Sequence, residues 1–374
     1  MTTAITPFAV NVPQADLDDL QARLVRSRFA KGLPDVGWTQ GVPEDHARLL
    51  VETWKNDFDW RAWEAKLNSY PQFTTEIDGQ TIHFLHIRSA SESATPLMLF
   101  HGWPGSVLEF LDVIEPLTDS SEGSNAFHLI IPSLPGFGFS GPTTEGGWNS
   151  ERMARAMVEL MTRLEYDRFG VQGGDYGSFV AADVARVAPD RVIGAHLNAA
   201  TFGFIPFHEV GDEERATLNP IEQARLDRLA NYMSDGNGYF QIQATRPHTL
   251  AYGLTDSPVG QLAWIGEKFY DWAHPKGSID TDFVLANATL YWLTETAASS
   301  ARLYWESMHS GSWPTPVSVP TGVAAFAEDV SIRRYSEDGY NIVHWSDFDQ
   351  GGHFAATEVP DLLASDIRKF FGAL

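Results

Sequence analysis

Apolar positions along the chain change period as it proceeds. After Pro13, Leu17, Leu20 and Leu24 recur at helical spacing and predict an amphipathic helix. Leu50, Trp54, Phe58 and Trp63 predict a second helical stretch over about 43–67. Runs at 73–77 and 81–87 then flank Asp78-Gly79, a pair suited to a two-residue hairpin turn. Short continuous apolar runs follow at 97–100, 128–131, 169–172 and 192–197, the pattern of strands buried on both faces of a parallel sheet. Between them, Met153, Met157, Leu160, Met161 and Leu164 share one face of a helix beginning after Asn149-Ser150. Another helix follows Gly177 and stops at Pro189. Strands alternating with helices predict a mostly parallel sheet with helices on both faces.

The rhythm breaks over about 206–291, a stretch rich in Trp, Tyr and Gly with helical pieces at 221–233 and 259–272. It resumes at 323–326 and 342–345, with a last helix after Pro360. An insertion at this place caps the carboxyl ends of the strands, where such sheets bind ligands. The expected organisation is a wrapping extension over 1–92, a first core part over 93–204, a mainly helical cap over 205–308 and a second core part over 309–374.

Composition narrows the function classes. The 374 residues include 49 acidic and 26 Lys or Arg side chains, a net charge of −23. Such a field repels phosphate and argues against nucleic acid or an anionic membrane surface as partner. With no cysteine in the chain, disulfides, thiolate nucleophiles and Cys-ligated metals are excluded. No apolar run approaches the ~20 residues that span a bilayer, and the first cation is Arg23, unlike a signal peptide. A soluble, cytoplasmic protein is expected.

The most informative stretch is Val171-Gln172-Gly173-Gly174-Asp175-Tyr176-Gly177-Ser178. A strand ends, small residues crowd a turn and a helix begins. This is the context of a nucleophile elbow, with Asp where Ser usually stands. By residue type alone Asp175 would be a helix N-cap; the flanking glycines and the preceding strand favour the nucleophile. A Ser attacking saturated carbon would leave an ether that water does not readily cleave, whereas a carboxylate leaves a hydrolysable ester. Asp175 therefore indicates displacement at an alkyl centre.

Releasing that ester needs a base for water. Among 12 histidines, His353 stands in Gln350-Gly351-Gly352-His353-Phe354, between the last strand-like run and the last helix. That is the base's place in chain order. His101 comes too early and is read as ordering the loop after the first core strand. The acid that orients the base is expected at Glu328-Asp329, and periodicity does not separate the two. Oxyanion donors are expected at the backbone N–H groups of Trp103 and Tyr176. Leu134-Pro135-Gly136-Phe137-Gly138 lacks the third glycine of a dinucleotide loop.

With these residues in view, the sequence resembles the epoxide hydrolases of the microsomal type, within the α/β-hydrolase superfamily, over nearly its whole length. Ile5-Thr6-Pro7-Phe8, Phe58-Asp59-Trp60-Arg61 and Ile82-His83-Phe84-Leu85-His86 are similar to that family's N-terminal extension. His101-Gly102-Trp103-Pro104-Gly105-Ser106, the elbow and Gly351-Gly352-His353-Phe354-Ala355-Ala356 match its signature motifs. The resemblance implies an α/β-hydrolase fold, hydrolysis of an epoxide to a vicinal diol, and no metal or cofactor. It implies Asp329, not Glu328, as the acid, in a pattern from which Ala327 departs by replacing Pro. At the elbow, Tyr176 stands where Trp is common. It further implies two cap tyrosines that bind the epoxide oxygen: Tyr239, in Gly238-Tyr239-Phe240-Gln241-Ile242-Gln243, and Tyr304, in Ala301-Arg302-Leu303-Tyr304.

The partners are then a small-molecule epoxide and water, with no membrane anchor; the size of the cap and analogy slightly favour a homodimer. A dehalogenase using the same Asp, or a non-catalytic binding protein on the same scaffold, is the alternative. Trp264, Trp272, Phe269, Phe240 and Trp292 either line a pocket for an apolar or aryl epoxide or form the cap's own core; the sequence leaves both open.

Overall fold

Strands buried on both faces need apolar side chains at nearly every position, and the central runs supply them. In the computed structural model, which describes residues 4–121, 125–311 and 315–374, they become β4 (Thr95–Phe100), β5 (Phe127–Pro132), β6 (Phe169–Gly174) and β7 (Val192–Asn198). With β8 (Val317–Ala325) and β9 (Tyr340–Asp347) they form a parallel array in the order β5-β4-β6-β7-β8-β9. β2 (Gln72–Ile77) and β3 (Gln80–Ile87) add to it antiparallel beyond β5, and β1 (Thr6–Phe8) pairs onto β2. The hairpin turns at Asp78 (φ 53°) and Gly79 (φ 74°), both in the left-handed region that a tight two-residue turn requires.

The N-terminal helices follow their apolar stripes. Helix α1 (Gln14–Val25) buries Leu20 and Leu24. The stretch expected as one helix over 43–67 is two, α2 (Glu44–Asn56) and α3 (Trp60–Asn68). The break has a local cause: the Asp59 side chain accepts the Arg61 N–H and nucleates a new helix, which competes with continuation of the first. In the core, α4 (Ser150–Arg163) is capped by Asn149 and buries Met153, Met157, Leu160 and Met161. Helix α5 (Tyr176–Val187) follows the elbow directly.

Between β7 and β8 lie α6 (Pro220–Asn231), α7 (Gly238–Thr245), α8 (Pro247–Asp256), α9 (Pro258–Asp271), α10 (Thr281–Leu293) and α11 (Ala297–Met308). Helix α10 is buried all round from Phe283 to Trp292, because the N-terminal segment wraps over it. The Trp54 indole N–H donates to Thr289 Oγ1 at 2.8 Å, and that of Trp63 to Asp282 Oδ2 at 2.7 Å. Trp38 stacks on Tyr270 of α9 with centroids 3.6 Å apart. Helix α12 (Pro360–Phe371) closes the chain, its Phe370 ring packed where side chains on Gly194 of β7 and Gly322 of β8 would otherwise sit.

Sheet order decides where a site can form. β4 has β5 on one side and β6 on the other, so the connections leaving their carboxyl ends diverge and open a crevice there. The loop after β4 and the turn after β6 both enter it. Among the described residues no helix is long and apolar enough to cross a membrane.

Candidate active site

Asp175 sits at the β6–α5 turn with φ 55° and ψ −127°, a conformation that costs an ordinary residue about 1–3 kcal/mol. Close packing on both sides holds it there. A Cβ on Gly173 would lie 2.1 Å from the Gly177 carbonyl oxygen, and one on Gly177 would lie 2.0 Å from that of Phe100 in β4. The turn therefore touches the neighbouring strand backbone to backbone, and Asp175 is thrust into the crevice. Gly102 completes the fit, since its Cβ would meet that of Asp175 at 2.5 Å.

The carboxylate is held asymmetrically. Oδ1 accepts the Trp103 N–H at 2.9 Å, while Oδ2 faces His353 Nε2 at 3.4 Å. The Tyr176 N–H lies in the first turn of α5, where helix N–H groups have no intrahelical acceptor. Nearby, His101 does not face Asp175 as a base. Its Nδ1 is 3.0 Å from the Gly102 carbonyl and its Nε2 accepts the Leu134 N–H at 3.1 Å, so it ties two loops together. Burial lowers its pKa to about 4.

His353 is delivered by a clamped loop. Its own N–H donates to the Trp272 carbonyl, and the Glu358 carboxylate accepts the N–H groups of Gly352, Phe354 and His274 at 2.7–3.0 Å. The Trp272 ring lies 4.7 Å from the imidazole. His353 Nε2 is buried and, among the described residues, has no hydrogen-bond partner. A nitrogen so placed can accept a proton from a small molecule beside Asp175.

The two acidic candidates behind it have different surroundings. Glu328 is engaged by His274 at 3.0 Å and Arg228 at 3.1 Å. Asp329 is buried, and its carboxylate accepts the N–H groups of Ala199 and Ser331 and the Ser331 hydroxyl. No hydrogen bond joins Asp329 to His353 among the described residues.

Over this floor the cap lowers an aromatic ceiling. Trp103 stacks on Tyr239 (centroids 5.2 Å, planes 6° apart) and meets Tyr304 edge-on at 5.7 Å. Tyr304 also touches Tyr176 at 4.6 Å. Burial raises the pKa of Tyr239 and Tyr304 well above the usual phenol value, with the neighbouring tyrosine hydroxyls and Asp175 adding to it. Both phenols therefore stay protonated and can donate.

Two further residues have no signal in the sequence. Tyr232 places its hydroxyl 3.2 Å from that of Tyr239, and Lys268 is buried with Nζ 4.5 Å from the centre of the Tyr239 ring. They reach the site only through the packing of α7 against α9 and the turn after α6. Of the five cap aromatics, Trp272 and Phe240 stand beside Tyr239 and Tyr304. Phe269 packs on Phe283 and Phe354, Trp264 donates to Gln243, and Trp292 lies under Arg23. Among the described residues, no cluster of three or more His, Asp or Glu side chains is arranged to hold a metal.

A parallel sheet with a carboxylate at the strand-to-helix elbow, a histidine facing it from the loop before the last helix and a helical cap defines an α/β-hydrolase. Residues 95–241 match the family model described as the alpha/beta hydrolase fold, and residues 5–110 match that described as the epoxide hydrolase N terminus. A Stigmatella aurantiaca protein provisionally named an epoxide hydrolase is 45% identical over 383 residues, covering 99% of this chain and 85% of the relative. The solved structure of Aspergillus niger epoxide hydrolase superposes with a TM-score of 0.89 at 34% identity, covering 99% of this chain and 96% of that one. Juvenile hormone epoxide hydrolase from the silkworm Bombyx mori gives a TM-score of 0.91 at 32% identity, over 100% and 95% of the two chains. The chain belongs to the epoxide hydrolase family.

Proposed function

We propose that this chain hydrolyses an apolar or aryl epoxide to a vicinal diol through an alkyl ester on Asp175. The observation that carries the reading is the arrangement of Tyr239 and Tyr304, protonated and packed on Trp103, whose N–H holds Asp175 Oδ1. In the first step, Asp175 Oδ2 attacks an epoxide carbon. The ring C–O bond breaks, and one of the two phenols protonates the departing oxygen while the other donates a hydrogen bond.

Oδ1 becomes the ester carbonyl oxygen, already in contact with the Trp103 N–H. In the second step, His353 Nε2 takes a proton from water as the water oxygen attacks Cγ of Asp175. The N–H groups of Trp103 and Tyr176 stabilise the oxyanion. Cleavage of the Cγ–O(alkyl) bond, with a proton returned from His353, releases the diol and leaves the water oxygen in Asp175; the proton left on the Asp175 carboxyl then passes through solvent to the tyrosinate formed in the first step, restoring both groups. Asp329 is assigned as the acid that stabilises the imidazolium, supported by its burial and by the engagement of Glu328 with His274 and Arg228. Trp272 and Phe240 beside the phenols support an apolar or aryl substrate.

The test is single turnover in oxygen-18 water with a panel of styrene oxide, an aliphatic epoxide and a bulky natural-product epoxide. Diol release with label appearing first in Asp175 is the expected result. Label appearing only in the diol, with none in the protein, would overturn the ester pathway. Cell fractionation and light scattering test two accompanying expectations, a cytoplasmic location and a homodimer.

A further inference from the structure

Beside Asp175 lies a cavity of about 20 Å³ whose wall includes Trp103, Glu109, Asp175, Asn198, His353 and Leu363. A cavity of that size holds one water, provided two or more polar groups face it. Its wall is apolar except for four side chains and the backbone of the elbow and the loop after β4. Asn198 Oδ1 already accepts the Gln172 amide N–H at 2.8 Å, and its Nδ2 can only donate. Asp175 is the electrophile once esterified, and His353 Nε2 takes one hydrogen of the water. That leaves one side-chain acceptor for the other hydrogen.

Glu109 is built into this position. It lies on the short 3₁₀ helix Val107–Val113, which Ser106 caps by accepting the Leu108 N–H. Its carboxyl is packed flat on the peptide of Gly105: a Cβ there would fall 1.3 Å from Glu109 Oε1. The Ser106 N–H donates to it, and the Tyr291 hydroxyl steadies the same loop by donating to the Gly105 carbonyl at 2.8 Å. We propose that Glu109 is the second anchor of the hydrolytic water, accepting one of its hydrogens while His353 accepts the other, so that a lone pair is aimed at Cγ of Asp175. This rests on the ester mechanism proposed above.

The charge balance suits the order of events. Burial, and then the Asp175 charge, push the Glu109 carboxyl up to about 8, so it is neutral while Asp175 must be the anion. Esterification removes the Asp175 charge and with it one of the two causes. Glu109 then ionises more readily and becomes a stronger acceptor at the moment water must be oriented and deprotonated.

The experiment follows formation and decay of the alkyl enzyme by stopped-flow fluorescence and quenched mass spectrometry, with the epoxide of the panel that wild type turns over fastest. Glu109→Ala should leave alkylation within about threefold of wild type and slow ester hydrolysis about 10–100-fold, the effect of one lost hydrogen bond. Glu109→Gln should hydrolyse within about fivefold of wild type, because an amide oxygen still accepts. Its pH profile should lose a second ionisation, lying below about 8, that wild type shows.

Wild-type ester decay in Glu109→Ala, or equal slowing of both half-reactions, would overturn the proposal. So would the second ionisation persisting in Glu109→Gln, a measurement that decides even if the alanine variant does not fold. Diol formation by wild type with no ester at any time would instead overturn the mechanism on which it rests.

Discussion

Removing one phenol tests the assignment that separates this site from other uses of an elbow aspartate. In Tyr239→Phe the ring keeps its stack on Trp103 at 5.2 Å, and only the hydroxyl, 3.2 Å from that of Tyr232, is lost. Both phenols are buried and protonated, and in the proposed mechanism each contributes a hydrogen bond to an oxygen that gains charge as the ring opens. Such a bond is worth about 1.5–3 kcal/mol, or about 10–150-fold in rate. Alkylation in Tyr239→Phe and in Tyr304→Phe should each fall within that range. The double variant should fall by more than the product of the two, because either phenol can replace the other as proton donor.

Stopped-flow tryptophan fluorescence is the assay, since Trp103 touches both rings. Ester hydrolysis, in which the proposed mechanism gives neither phenol a part, should change by less than about threefold, far below the donor effect. The phenols act while protonated, so wild-type alkylation is lost only as pH rises through values above the usual 10. A double variant that alkylates at the wild-type rate, or single variants that slow hydrolysis instead, would refute the reasoning.

His353→Gln should leave alkylation intact and slow hydrolysis by about 10²–10⁴-fold, so that a protein adduct of substrate mass accumulates; turnover at the wild-type rate would remove His353 as the base. Gly177→Ala places a Cβ 2.0 Å from the Phe100 carbonyl oxygen, and should abolish activity and lower Tm by several degrees in calorimetry; an active variant of unchanged Tm would contradict the backbone contact at the elbow. Away from the site, Asp366 is buried and bonded by His196, His344 and Ser346. Burial alone would raise its pKa, but those bonds outweigh it and lower it from 3.8 to about 2. Its folded pKa is depressed, so the stabilisation is present above 3.8 and lost as pH falls through 2. Asp366→Asn should therefore cost about 2 kcal/mol at pH 7, and urea unfolding should show the gap to wild type closing toward pH 2.

Much of the parallel sheet was legible because buried strands leave uninterrupted apolar runs, and 169–172 led directly to the elbow. Where local hydrogen bonding competes with periodicity, legibility fails. Asp59 splits the helix expected over 43–67, since a side-chain cap two residues before Arg61 outweighs a continuing stripe. β1 has only three residues and exists because β2 offers its edge. The expected strand at 323–326 begins at Val317 instead, its first half alternating between buried and exposed beside β9.

What the sequence by itself determined is the chemistry available: an acid at a strand-to-helix turn between glycines, a histidine before the last helix, and a chain without thiols. Those are local properties of residue type and order. Only the tertiary structure decided which cap aromatics stand beside Tyr239 and Tyr304, that Glu328 is spent on His274 and Arg228, that Tyr232 and Lys268 adjoin Tyr239, and that Glu109 shares a cavity wall with Asp175 and His353. Their positions depend on contacts between segments far apart in the chain, where side-chain packing, not periodicity, sets the neighbours.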